Sequence, residues 1–309
     1  MSRPVLLVPP ATADEYLSLL PAGVEVHRAP TSGDGAAIPP TVDLLVPSFV
    51  RPEVLGLIPH LNGLRVIQTL SAGVDWILPV VPPGVVLCDA AGVHDISVSE
   101  WVVAAILAMQ KRFPHYLDDQ RRALWTRPGS HDASHELQGM RVLIVGYGSI
   151  ARATERRLAP FDVDIVRVAR RARDGVHGTS ELPSLIVDAD VVVILLPLTD
   201  ETRGMIDASL ISRMRHDALL VNAARGAIVD TGALTTALLE GRIRAALDVV
   251  DPEPLPADHP IWGAPGLLIT PHVAGSTPRF RGRAWRFIAD QVTRFLDGEP
   301  LLNVVHDGY

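Results

Sequence analysis

The sequence predicts an α/β protein built from two doubly wound, parallel-sheet domains, and three observations carry that prediction. Short β-branched runs alternate with helical patterns along most of the chain, as βαβ units require. The 309 residues exceed what one small core usually organises and fit two domains. The apolar run that starts at Val142 breaks into Gly146-Tyr147-Gly148-Ser149-Ile150-Ala151 before a helical pattern resumes at Ala153. This strand, glycine turn and helix are suited to holding a pyrophosphate.

Taken in order, residues 5–8, 24–27, 43–46, 66–69 and 85–87 read as parallel strands of a first, small α/β domain. The stretch 30–40, with Gly33 and Gly35, reads as a surface loop. Cys88 is the single cysteine, so it forms no internal disulfide; it follows the fifth run and reads as a small buried apolar residue. Residues 99–112 read as a long buried helix joining the domains. Ser97 or Ser99 is its cap, Glu100 lies in its first turn, Lys111 and Arg112 in its last, and Pro114 beyond. From Met140 onward, strands at 142–145, 163–168, 191–195, 218–222, 245–249 and 267–269 give a six-stranded Rossmann-like sheet. A last helix starts at Thr277 and Pro278, carries Phe280, Ala284, Phe287, Ile288, Val292 and Phe295 on one apolar face, and stops at Gly298. It is expected to pack back across the interdomain boundary. The division assigns 1–97 plus 279–309 to one domain and 98–278 to the other, with hinges near 97 and 278.

Composition excludes some functions. A 48% hydrophobic, 20% charged chain is an ordinary soluble one, and a net charge of −7 argues against a nucleic-acid partner. The apolar run 101–109 falls far short of the ~20 residues a membrane span needs. The N-terminus lacks the long apolar core of a signal peptide, so a cytoplasmic protein is expected. No metal site is assigned.

In open parallel sheets, ligands bind outside the carboxyl ends of the strands, so Gly146, Arg170, Pro197, Ala223, Asp248 and His272 should converge. A side chain at Gly146 would obstruct the tight turn, and one at Gly148 the pyrophosphate, while small Ala151 lets the helix lie close to its strand. About 20 residues beyond such a turn, an NAD-binding protein carries an acidic residue for the ribose 2′-hydroxyl. Here the run is Val166-Arg-Val-Ala-Arg170-Arg171-Ala-Arg173, with no carboxylate. Guanidinium groups suit a 2′-phosphate, which predicts NADP(H) in preference to NAD(H), with NAD(H) possible. An exposed basic turn is the plainer alternative for these arginines.

Several blocks in one order carry a family resemblance. They are Ser71-Ala-Gly-Val-Asp75, the Gly146 turn, Leu196-Pro-Leu-Thr-Asp-Glu-Thr202, Asn222-Ala-Ala-Arg-Gly-Ala-Ile-Val-Asp230, Ala246-Leu-Asp-Val249 with Pro252-Glu-Pro254, and Thr270-Pro-His-Val-Ala-Gly-Ser276. The chain resembles the D-isomer-specific 2-hydroxyacid dehydrogenases, of the NADP-type glyoxylate/hydroxypyruvate reductase kind, nearly end to end. The resemblance implies a catalytic set of Arg225, Glu253 and His272. It implies cofactor contacts from Gly146, Tyr147, Gly148, Ser149, Ile150, Arg170, Arg171, Arg173, Leu196, Pro197, Thr202, Ala223, Ala224, His272 and Gly275, with Asp248 accepting from the nicotinamide carboxamide. Ser71, Ala72 and Gly73, with Arg225 and His272, are the implied substrate contacts. The same resemblance implies two Rossmann-like/flavodoxin-like domains closing over a cleft, and a homodimer. His94 and Asp95 are not counted as catalytic.

The chemistry of these residue types agrees. Reducing a 2-oxo acid needs a hydride at the carbonyl carbon and a proton at its oxygen. An imidazole such as His272 supplies the proton, a carboxylate such as Glu253 keeps it protonated and oriented, and a guanidinium such as Arg225 binds the substrate carboxylate bidentately. Each has a plainer reading: strand-end cap for His272, solvated loop carboxylate for Glu253, turn residue for Arg225. The expected function is NADPH-dependent reduction of a small 2-oxo acid to the D-2-hydroxy acid. A phosphoglycerate dehydrogenase-like enzyme is the alternative, disfavoured because the chain ends at Tyr309 without room for a regulatory domain. A non-catalytic dinucleotide sensor or corepressor is another, though a sensor has no need of a proton donor.

Overall fold

The computed structural model describes residues 3–30, 38–48, 52–127 and 134–306, so the loop expected at 30–40 falls largely outside the described residues. The chain forms two compact units, Met1–His94 with Thr277–Tyr309, and Asp95–Ser276.

The first unit holds β1 (Val5–Val8), α1 (Asp14–Leu17), β2 (Glu25–Arg28), β3 (Leu44–Leu45), α2 (Pro52–Leu57), β4 (Val66–Gln68) and β5 (Val86–Cys88). Its strands form one parallel sheet in the order β2-β1-β3-β4-β5. Leu6, Leu7 and Val8 are fully buried, as a parallel strand covered on both faces requires. The third strand is shorter than expected at both ends, and beside it the Asp43 carboxylate accepts from the Val5 amide at 2.9 Å. Cys88 ends β5 instead of following it, and burial pushes its thiol up to about 11.

In the second unit, α3 (Asp95–Gln110) and α4 (Phe113–Arg121) precede β6 (Arg141–Val145), α5 (Ser149–Leu158), β7 (Asp164–Ala169), β8 (His177–Gly178), α6 (Leu182–Leu185), β9 (Val191–Ile194), α7 (Ala208–Arg213), β10 (Leu219–Asn222), α8 (Thr231–Leu239), β11 (Arg244–Leu247) and β12 (Leu267–Ile269). The parallel sheet runs β12-β11-β10-β9-β6-β7-β8. Among the described residues it has seven strands where six were expected: the two-residue edge strand β8 carries no apolar run.

The long helix also departs from expectation. It opens at Asp95, and Ser97 and Ser99 are buried within it; the Ser99 hydroxyl donates to the Asp95 carbonyl at 2.5 Å, so neither serine caps. Arg112 takes a left-handed φ of 56°, which ends the run, and Pro114 then lies in the first turn of α4, where its missing N–H costs nothing. The whole of α3 belongs to the second unit and packs on α5.

The last helix, α9 (Pro278–Asp297), belongs to the first unit, the side of the division given to residues 279–309. Trp285, Ile288 and Val292 join the core of Leu6, Val8 and Val66, and Trp285 stacks on Tyr16 at 6.3 Å. Gln291 is buried with them, donating to Gln68 Oε1 at 2.7 Å. Gly298 closes the helix at φ 69°. No helix among the described residues is long and apolar enough to cross a membrane.

Candidate active site

Strand register in the second unit sets the site. Val168, Val145, Ile194, Asn222, Leu247 and Ile269 pair in succession across the sheet. Of the residues that follow them, Gly146, Leu195, Ala223, Asp248 and Thr270 leave the sheet along one carboxyl edge, and Arg170 does so after Ala169, which ends β7.

At the centre of that edge the chain turns at Gly146 with φ 103°. A Cβ there would lie 2.5 Å from the carbonyl carbon of Leu195, so glycine is demanded by the neighbouring strand's exit as well as by the turn. At Gly148 a Cβ would meet nothing within 4 Å, and φ is −96°. No contact among the described residues requires glycine at that position. Ala151, fully buried, packs in the core formed by α3 and β6.

Tyr147 is held on three sides. Its hydroxyl donates to Glu155 Oε2 at 2.5 Å, and the Arg167 and Arg173 guanidinium groups lie 5.7 Å and 5.9 Å from its ring centre. Arg167 pairs with Glu155, holding that carboxyl below the usual range, while burial and then Glu155 push the Tyr147 hydroxyl up. Arg173 also donates to the Tyr147 carbonyl at 2.9 Å, fastening the glycine turn to the segment beyond β7. Arg170 and Arg171 are exposed immediately after β7.

At the other end of the edge, Asp248 is 3% exposed and organises the loop that carries His272. Its Oδ1 accepts from the Thr270 hydroxyl at 2.6 Å and the Val273 amide at 2.9 Å, and its Oδ2 from the Ala274 amide at 2.9 Å. The His272 amide donates to the Asp248 carbonyl at 2.7 Å, and His272 itself takes a left-handed φ of 54°. Such a backbone persists in a non-glycine residue when its surroundings over-determine it. The result is a 2.7 Å bond from His272 Nδ1 to Glu253 Oε1, between side chains 31% and 42% exposed.

The second unit contains a family-level signature over more than half of the chain: residues 103–274 match the model described as "D-isomer specific 2-hydroxyacid dehydrogenase, NAD binding domain". The chain belongs to this family. It is 35% identical to a glyoxylate reductase of Thermofilum pendens over 82% of this chain and 78% of that one. It is 32% identical to a D-3-phosphoglycerate dehydrogenase of Mycobacterium bovis over its whole length, spanning 60% of that protein. Its fold matches an NADPH-dependent glyoxylate/hydroxypyruvate reductase of Sinorhizobium meliloti, crystallised with NADP and sulfate, at a TM-score of 0.83 and 26% identity, over 98% of each chain. This 2-hydroxyacid dehydrogenase is accordingly an NAD(P)-dependent oxidoreductase acting on small 2-hydroxy or 2-oxo acids.

The dehydrogenase holds its remaining candidate residues in small clasps. Arg225 follows the turn after β10 and donates to the Ala224 carbonyl at 2.8 Å. Buried Asn222 straddles that turn, donating to the Arg225 carbonyl at 3.0 Å and accepting from the Ala224 amide at 3.1 Å. Gly226 is forced, since a Cβ there would lie 2.0 Å from the Val250 carbonyl. Thr202 is buried and used within its own loop, donating to the Pro197 carbonyl at 2.7 Å and accepting from the Thr199 amide at 2.8 Å. Leu196 and Pro197 thereby keep a fixed path out of β9. Gly275 lies in the loop beyond His272.

In the first unit, the turn of Ser71, Ala72 and Gly73 follows β4. The Ser71 hydroxyl donates to the Gly73 carbonyl at 2.7 Å, and the Trp76 indole N–H donates to the same carbonyl at 3.0 Å. The bonds by which Trp76 and Asn222 hold these turns are not announced by the sequence pattern. Asn222 leaves one usable signal, a polar amide ending an apolar strand just before a turn.

Proposed function

We propose that this dehydrogenase uses NADPH to reduce a small 2-oxo acid of the glyoxylate or hydroxypyruvate kind to the D-2-hydroxy acid. The observation that carries the reading is the 2.7 Å bond between His272 Nδ1 and Glu253 Oε1. With Nδ1–H donated to the carboxylate, Nε2 is the nitrogen that passes a proton to the substrate's carbonyl oxygen, and Glu253 fixes the orientation of the ring. A bound nicotinamide supplies the hydride to the carbonyl carbon. Arg225 takes the substrate carboxylate in a bidentate pair.

Gly148 supports the fit of a dinucleotide: nothing in the chain occupies the space a Cβ would take, and the helix α5 begins at the next residue. The NADPH preference rests on Arg170 and Arg171, at a position where an NAD site carries a carboxylate. Arg173 acts there mainly by holding Tyr147. A homodimer working in the cytoplasm belongs to the same proposal.

Paired variants test it. His272→Ala should lose turnover of glyoxylate and hydroxypyruvate by about 10²–10⁴-fold while NADPH fluorescence titration gives a near-unchanged Kd. Glu253→Gln should lower kcat less. Near wild-type turnover by His272→Ala overturns the proton-donor assignment.

A further inference from the structure

Ser149 opens α5 immediately after Gly148, so its amide and hydroxyl stand at the helix end that the glycine turn presents. That hydroxyl is already engaged. Its Oγ donates to Asp95 Oδ1 at 2.8 Å, and Asp95 is the first residue both of α3 and of the second unit. A carboxylate thus sits one hydroxyl away from the amides that the dinucleotide reading gives to a pyrophosphate. At the start of α3 the same charge is favourable, since it faces that helix's own positive end. At the start of α5 it opposes the arrival of an anion.

We propose that Asp95 weakens cofactor binding: it holds the Ser149 hydroxyl in an internal bond and repels the pyrophosphate, so the dinucleotide binds less tightly than the glycine turn alone would allow. Binding exchanges the Ser149–Asp95 hydrogen bond for one from Ser149 to a phosphate oxygen and leaves Asp95 to water. The function of such an element is turnover, because oxidised cofactor must leave before the next cycle, and release limits the rate of many enzymes. The inference rests on the dinucleotide reading of the glycine turn.

The test is equilibrium titration of NADPH fluorescence, without substrate, on the full chain and on Asp95→Asn and Asp95→Ala, with thermal melts confirming that each is folded. Asp95→Asn removes the charge yet keeps an oxygen able to accept from Ser149; Asp95→Ala removes both. Both variants should bind NADPH about three- to tenfold more tightly at low salt, the scale of one charge repulsion across a partly exposed site. That advantage should shrink as salt rises and the Debye length falls below about 10 Å. A purely structural role for Asp95 gives no salt-dependent ratio. Equal or weaker binding by both variants at every salt concentration overturns the inference while leaving the cofactor reading intact. Failure of the wild-type chain to bind either NADPH or NADH removes the cofactor reading, and this inference with it.

Discussion

Asp248→Asn separates two roles for one carboxylate. If Asp248 served only to accept from a nicotinamide carboxamide, its amide variant would melt like the wild type without cofactor. The structure instead gives Asp248 three donors at 2.6 to 2.9 Å, from Thr270, Val273 and Ala274. Asparagine keeps one acceptor oxygen and turns an NH₂ group toward a donor, so at least one charge-assisted bond is lost and two donors face each other. That costs about 2–4 kcal/mol. For a unit of this size the melting temperature should fall by about 5–15 °C without cofactor. Because the same loop sets His272 and its left-handed backbone, kcat should fall by about 10²-fold, the usual result of displacing a reacting group by an ångström. Calorimetry with and without NADPH, and steady-state rates at saturating cofactor, read both effects. An unaltered melt with only a raised KM for NADPH would refute the loop-organising role.

Three further outcomes are expected. Gly148→Ala should melt within about 1 °C of the wild type, because its Cβ meets no protein atom, yet lose about tenfold or more in NADPH affinity; Gly146→Ala should lose stability too. Arg170→Asp with Arg171→Ala should lower kcat/KM for NADPH by about 10–100-fold and shift preference toward NADH; an unchanged cofactor ratio would place the 2′-phosphate elsewhere. Burial pushes Asp89 up to about 6 from 3.8, so its contribution to stability is fully present below about pH 4 and is lost as pH rises through 6. Asp89→Asn should therefore stabilise the first unit by about 1–2 kcal/mol at pH 7.5, discounted for partial exposure, and leave it unaltered near pH 4 in denaturant titrations.

The sheets were legible because parallel strands covered on both faces need unbroken apolar runs, and Val191 to Ile194 or Leu219 to Val221 can scarcely be anything else. What escaped was set by tertiary contact. Strand β8 is two residues long and joins the edge by pairing with Val168 and Ala169, which no local pattern announces. Ser97 and Ser99 look like caps in sequence, but α3 had already begun at Asp95. At the candidate site, the sequence blocks put forward residues for the chemistry, whereas the partners that hold those residues could not be read from them. Asp248 finds its donors 22 to 26 positions later, and Ser149 finds Asp95 54 positions earlier. The need for glycine at 146 arises partly from the Leu195 backbone, just past the end of another strand.

The most direct test is the loss of NADPH absorbance, and separately of NADH absorbance, when the purified chain is mixed with glyoxylate, hydroxypyruvate, pyruvate, phenylpyruvate and phosphohydroxypyruvate. Turnover with glyoxylate or hydroxypyruvate is expected, with a higher kcat/KM for NADPH than for NADH. Tight NADPH binding with no turnover of any of these acids would contradict it, and turnover with NADH alone would contradict the role given to Arg170 and Arg171.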